Sequence, residues 1–168
     1  MVYEGNQINQ IFSPIIKLPM IKLCEQNGDK LDSGYSAMLQ MLYLRADSSL
    51  FDSENTANYL IENSGGHPRD LLRLLSYAFG FADGDQFDDA SARKAVKKLA
   101  MDYRRILDTK DYPLLREIDQ SPLGQVSNNS DQAQLLLYNL ALLEYNDYWW
   151  KSHPVVRTLP EYQAVSSS

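Results

Sequence analysis

The chain has 168 residues, 44% of them hydrophobic and 23% charged, with a formal net charge of −6. That is enough apolar material for a packed core, while the acidic balance disfavours a protein built to coat nucleic acid or an anionic membrane. The single cysteine, Cys24, excludes an internal disulfide and any multi-cysteine metal site.

No apolar run approaches the roughly 20 residues that span a bilayer. No basic stretch followed by an apolar one marks a signal peptide, so the expected location is cytoplasmic. Met1 to Gln10 is polar, and Ile11 to Leu23 (IFSPIIKLPMIKL) is apolar but carries Pro14 and Pro19, which predicts an extended or short-strand segment. Asn27-Gly28-Asp29 predicts a turn. Tyr35 to Arg45 predicts one amphipathic helix with Ala37, Met38, Met41, Leu42 and Leu44 on its apolar face. A second helix follows Phe51-Asp52-Ser53, capped by Asp52 or Ser53, with Ala57, Leu60 and Ile61 turned inward.

That helix ends at Ser64-Gly65-Gly66, where the glycines can take positive φ without steric cost. Pro68 suits the first turn of a new helix, which runs to about Phe81. Leu71, Leu72, Leu74, Leu75, Ala78 and Phe79 form its broad apolar face, and Arg69 and Arg73 lie on the polar side. Ala82 to Asp85 is a loop, and Asp88 or Asp89 caps a long helix whose stripe is Ala92, Val96, Leu99, Tyr103 and Ile106. Away from the stripe lie Arg93, Lys94, Lys97, Lys98, Arg104 and Arg105, opposed in that stretch by Asp102 alone. Such a run reads as a solvated face and is the one basic patch of the chain.

Tyr112-Pro113 predicts a boundary, because the residue before proline is pushed out of the helical region. A short helix through Ile118, an exposed loop over Ser121 to Ser130, and a helix from Asp131 to about Asn139 capped by Ser130 or Asp131 follow. Leu140 to His153 (LALLEYNDYWWKSH) predicts a β-hairpin turning at Asn146-Asp147. Pro154 starts a last short helix, and Ala164 to Ser168 should fray. Helix, helix, β-hairpin is the pattern of a winged-helix module. The expected fold is therefore mainly α: an extended segment over 1–27, a helical bundle over 28–112, and a small winged-helix module with one β-hairpin over 113–168.

Gly65-Gly66-His67-Pro68-Arg69 followed by a leucine-rich helix resembles the sensor-2 segment in the helical lid of AAA+ and related P-loop ATPases. The order of the other parts is similar to the C-terminal half of a bacterial AAA+ or STAND-type ATPase: Leu18-Pro19 as a strand remnant, Leu44-Arg45-Ala46-Asp47 closing a helix, and a hairpin ending in Trp149-Trp150-Lys151-Ser152-His153-Pro154. The resemblance implies a nucleotide-sensing lid. Arg69, at a corner made by Gly66 and Pro68 and helped by Arg73, reaches the phosphates of a nucleotide held by a neighbouring α/β domain. A guanidinium is permanently charged and grips phosphate oxygens in a fork, and a helix N-terminus adds favourable partial charge. ATP and magnesium are implied as cofactors only through that domain, a P-loop core acting in cis or trans. The family's own hydrolytic parts do not occur here. The chain has no G-x-x-x-x-G-K-[ST] loop and no strand ending in paired acidic residues, and Leu142-Leu143-Glu144 falls in the predicted hairpin. The chain as given is expected neither to bind ATP tightly nor to hydrolyse it, and reads as a piece of a larger ATPase or a stand-alone relative.

His67 and His153 are the only histidines. They fall in different predicted modules with no acidic residue at metal-ligand spacing, so no zinc site is expected. His67 reads as a helix cap and His153 as the end of a strand. Ser64, His67 and Asp70 crowd into one turn, whereas the members of a hydrolase triad converge from separate segments, so no catalytic residue is assigned. Tyr148, Trp149, Trp150 and Lys151, with Tyr145, are candidates for contact with a protein partner or a neighbouring subunit; alternate hairpin residues can also pack on the module's own core. A second functional reading is a DNA-binding winged helix with a helical oligomerisation domain. The helix before the hairpin (DQAQLLLYN) carries no Arg or Lys and the hairpin only Lys151, which leaves little for phosphate neutralisation or base readout. A third is an adaptor that merely holds a partner.

Overall fold

The computed structural model describes residues 20–121, 131–145 and 149–165. Among them are eight α-helices and one antiparallel hairpin: α1 (Asp32–Tyr43), α2 (Glu54–Ser64), α3 (Pro68–Phe81), α4 (Asp89–Arg104), α5 (Asp111–Gln120), α6 (Asp131–Tyr138), β1 (Leu142–Tyr145), β2 (Trp149–Ser152), α7 (Pro154–Arg157) and α8 (Pro160–Gln163). The fold is mainly α, a helical bundle followed by a helix–helix–hairpin unit, as the sequence pattern predicts. The expectations for 1–19, for the 122–130 loop, for the hairpin turn with Tyr148, and for 166–168 fall outside the described residues.

Local chemistry sets the helix ends. Ser53 caps α2 by accepting from the Thr56 backbone N–H, while Asp52 accepts from the Thr56 hydroxyl at 2.5 Å. Gly65 closes α2 at φ 63° and Pro68 opens α3 at its first position. Asp88 and Ser91 cap α4 reciprocally: the Asp88 carboxylate accepts from Ser91 N–H at 2.8 Å, and the Ser91 hydroxyl accepts from Asp88 N–H at 3.0 Å. Asp88→Ala removes one half of this box and is expected to lower stability by about 1 kcal/mol, read as a shift in the urea midpoint with unchanged helical circular dichroism.

Several expectations are corrected. α1 opens at Asp32, ahead of Tyr35, with an acidic residue in its first turn where the helix dipole favours it. The apolar face of α3 is narrower than predicted. Leu71, Leu74 and Ala78 are fully buried, whereas Leu72 is 37% and Phe79 75% exposed, because the helical rotation carries those two off the stripe. Ile106 lies past the end of α4 and is exposed. Pro113 does not break the chain: it sits in the first turn of α5, where its missing N–H has no intrahelical acceptor to lose, and Tyr112 stays helical. The basic face of α4 is also largely paired, by Asp102 and by acids beyond it. Arg93 bonds Asp89 at 2.7 Å, Lys98 bonds Asp102 at 2.6 Å, and Arg104 bonds Glu161 of α8.

One apolar cluster runs through the whole described chain, from Met38, Leu60, Leu74 and Leu99 in the bundle to Leu115, Leu142 and Val155 beyond it. The segments 28–112 and 113–165 therefore share a core. A smaller cluster of Leu143, Tyr145 and Trp149 packs against Met20 and Cys24. The extended segment at the start of the described chain forms a strap. Met20 N–H donates to Glu144 O at 3.3 Å, Ile21 N–H to Gly66 O at 3.0 Å, and Leu23 O accepts from Leu31 N–H at 3.0 Å. Two glycines make room for it: a Cβ on Gly34 or on Gly66 would lie 1.8 Å from the carbonyl oxygen of Lys22 or Ile21 respectively. The strap then reverses at the predicted turn, where Gly28 has φ 95° and Asn27 accepts from Asp29 N–H at 3.0 Å. Among the described residues, no helix is long and apolar enough to cross a membrane.

Candidate functional site

The first turn of α3 carries two opposed features, a buried carboxylate and an exposed guanidinium. Spacing of three residues places His67, Asp70 and Arg73 on one side of the turn. Asp70 is 1% exposed and sits at the centre of a knot of donors. Its Oδ1 accepts from Arg73 Nη1 at 2.9 Å, and its Oδ2 accepts from the Tyr103 hydroxyl of α4 at 2.6 Å. His67 Nδ1 and His153 Nε2 approach the same Oδ2 at 3.1 and 3.2 Å. Both imidazole contacts are short but off the N–H axis, so they act as electrostatic contacts more than as linear hydrogen bonds. The Tyr103 ring lies against the His153 ring with centroids 4.7 Å apart. The knot continues outward: Arg73 Nη2 bonds Asp102 at 3.1 Å, and Asp102 accepts from the Tyr77 hydroxyl at 2.6 Å.

Protonation follows from this geometry. His153 is fully buried, and its Nδ1 accepts from Val155 N–H at 3.3 Å, so the neutral ring carries its proton on Nε2, facing Asp70. Burial pushes the His153 pKa down, against the pull of the Asp70 charge. Burial works against the charge on Asp70 too, but the donors around it, the two imidazoles and Tyr103, outweigh that and hold its carboxyl well below the usual carboxylate range. The consistent state at neutral pH is an ionised Asp70 with a neutral His153, and the Arg73 guanidinium supplies the compensating charge. Burial and the neighbouring carboxylate push the Tyr103 phenol up, so it stays a donor.

This corrects the reading of the two histidines. They come from different parts of the chain, one from the helix corner and one from the end of the hairpin, yet both meet the carboxylate of Asp70. Among the described residues no group of histidine, cysteine and acidic side chains is arranged to hold a metal ion. Ser64 takes no part in the knot. Its hydroxyl donates to Ile61 O at 2.6 Å and accepts from Gly66 N–H at 3.2 Å, stitching the corner together.

The residues assigned to phosphate contact separate into two kinds. Arg69 is exposed and has no ion pair among the described residues. Arg73 is held by two carboxylates. Gly66 has φ 75° with its carbonyl bonded to the strap, and Pro68 opens the helix. Arg69 stands at the rim of a cleft of about 250 Å³ shared with Arg73, Asp102, Ile106, Tyr138 and Leu140. Tyr138 is 85% exposed there, and Leu140 holds a φ of 59°, an uncommon conformation for a branched residue.

The hairpin meets the same corner. Tyr145 donates from its hydroxyl to Gly65 O at 2.7 Å, and its ring packs on Trp149 at 4.8 Å. Both are buried, which places Trp149 in the core and removes it, with Tyr145, from the expected contact surface. Trp150 and Lys151 remain half-buried; Trp150 Nε1 donates to Glu144 at 3.3 Å and the Lys151 ammonium lies 5.8 Å from the Trp149 ring centre. Leu142-Leu143-Glu144 forms most of β1 and pairs with Lys151 to Ser152 and Trp150 across the hairpin. Comparison with protein-family models, with curated proteins and with solved structures finds no match to this chain.

Proposed function

We propose that the chain is the nucleotide-sensing lid and winged-helix interaction module of an AAA+ or STAND-type P-loop ATPase, and is not catalytic by itself. The observation that supports this most is the contrast within one helical turn. Arg73 is consumed by Asp70 and Asp102, while Arg69, four residues earlier in the first turn of the helix, is exposed and has no ion pair among the described residues. A guanidinium held in that place suits phosphate oxygens presented by another domain. ATP and magnesium are supplied by a P-loop core in cis or trans, since no phosphate-cradling loop occurs in the sequence. Among the described residues of the hairpin, Trp150 and Lys151 are still available to a protein partner or neighbouring subunit.

Arg69→Ala tests the reading. In the chain alone it is expected to leave the melting temperature nearly unchanged, within about 0.5 kcal/mol of stability, as for other exposed substitutions. In a protein that joins this chain to its P-loop core, the same change is expected to abolish nucleotide-dependent closure, measured by the distance between labels on core and lid. Unfolding of the variant chain, or closure that persists without the guanidinium, would count against the reading.

A further inference from the structure

On a separate face, Arg116 of α5 and Arg157 of α7 line an open cavity of about 580 Å³ together with Asn63, Thr158, Tyr162 and Gln163. Arg73, Arg93 and Arg104 are paired with carboxylates. These two are not: the Nε of each is buried without a hydrogen-bond partner among the described residues. A buried donor left unmet costs roughly 1–3 kcal/mol, and both residues that carry one line this cavity. Arg116 is braced in place, its guanidinium 5.3 Å from the Tyr162 ring centre, and the Tyr162 hydroxyl is bonded in turn to Asp119 at 2.5 Å.

The neutral polar side chains of the lining each make at least one hydrogen bond within the protein. Asn63 donates to Tyr59 O at 2.9 Å, Thr158 to Val155 O at 2.7 Å, and Gln163 to Arg157 O. Glu62, a carboxylate of the same lining, accepts through Oε1 from Lys30 and Tyr35, each at 2.9 Å. The charge that the cavity still offers is therefore that of the two guanidinium groups, which have no carboxylate partner among the described residues. Its complement is a ligand with two anionic groups, one for each guanidinium fork. The volume lies within the ordinary range for small-molecule sites, about 300–1,000 Å³, and exceeds what one inserted carboxylate side chain fills. We infer that the cleft between α5, α7 and α8 binds a small molecule carrying two phosphate groups, independently of the Arg69 corner.

Pyrophosphate is the simplest probe, titrated into the 168-residue chain by calorimetry. Saturable one-to-one binding is expected, weakened by about tenfold or more in Arg116→Gln and in Arg157→Gln, and unchanged in Arg69→Ala. That last variant separates this site from the proposed lid contact: loss in Arg69→Ala with no loss in the other two overturns the inference. The absence of saturable binding does so as well, as does preference for an oligo-glutamate peptide over pyrophosphate. Should either glutamine variant fail to fold, phenylglyoxal modification of the unaltered chain decides. Pyrophosphate is expected to protect Arg116 and Arg157, read by peptide mass spectrometry, and binding without that protection overturns the inference.

Discussion

Asp70→Asn is expected to lower the stability of the chain by about 3–5 kcal/mol, the usual effect of removing one member of a buried charged pair. The side chain keeps its shape, so the loss measures charge and hydrogen bonding and not a cavity. Its amide cannot accept strongly from Tyr103 and Arg73 together while facing two imidazoles. Chemical denaturation gives the size of the effect, and a loss under about 1 kcal/mol would show that the knot is incidental to the fold. The knot also sets a pH dependence. The Asp70 carboxyl titrates lower in the folded chain than its ordinary 3.8, so its contribution is present above that value and is lost as acid takes the pH down through the depressed one. His153 is likewise depressed from 6.5, so the unfolded chain binds its proton more readily, and stability falls as the pH drops below about that point. His153→Asn should flatten the stability curve between about pH 5 and 7, the range in which histidine changes charge.

The second large effect is at Gly66. Its φ of 75° is unfavourable for any residue with a Cβ, and that Cβ would meet the Ile21 carbonyl at 1.8 Å. The obstacle is backbone, with no flexible side chain to swing away. Gly66→Ala therefore has to move the strap and break the Ile21–Gly66 hydrogen bond, a combined loss of at least about 2 kcal/mol. Gly80→Ala is the matched control. Gly80 lies in α3 with nothing within 4 Å of its added Cβ, so the change is expected to stabilise by about 0.5–1 kcal/mol. Thermal melts separate the two, and proteolysis of the Gly66 variant should release the strap first.

The parts of this fold that sequence makes legible are those fixed within a few residues. Ser53, the Gly65-Gly66 pair, Pro68 and Asp88 each act through a bond or a φ value confined to one turn, and the helices they bound fall where the pattern predicts. The candidate corner is legible for the same reason, as a glycine pair closing one helix and Pro68 opening the next ahead of Arg69. The meaning of Asp70 is not. Its hydroxyl partner Tyr103 lies 33 residues away, and His153 arrives from the hairpin, where the sequence shows only a strand end. The pairing of Arg73 with Asp102 is hidden similarly, since spacing alone makes Arg69 and Arg73 look alike. Pro113 misleads in the opposite sense: its local preference is overridden because the first helical turn tolerates it.

The strap has a mechanical consequence. Ile21 is bonded to a residue only three positions ahead of Arg69, and both flanking carbonyls are wedged against glycines, leaving no slack to be drawn out. A pull on the polypeptide ahead of Met20 is thus delivered straight to the turn that carries the free guanidinium.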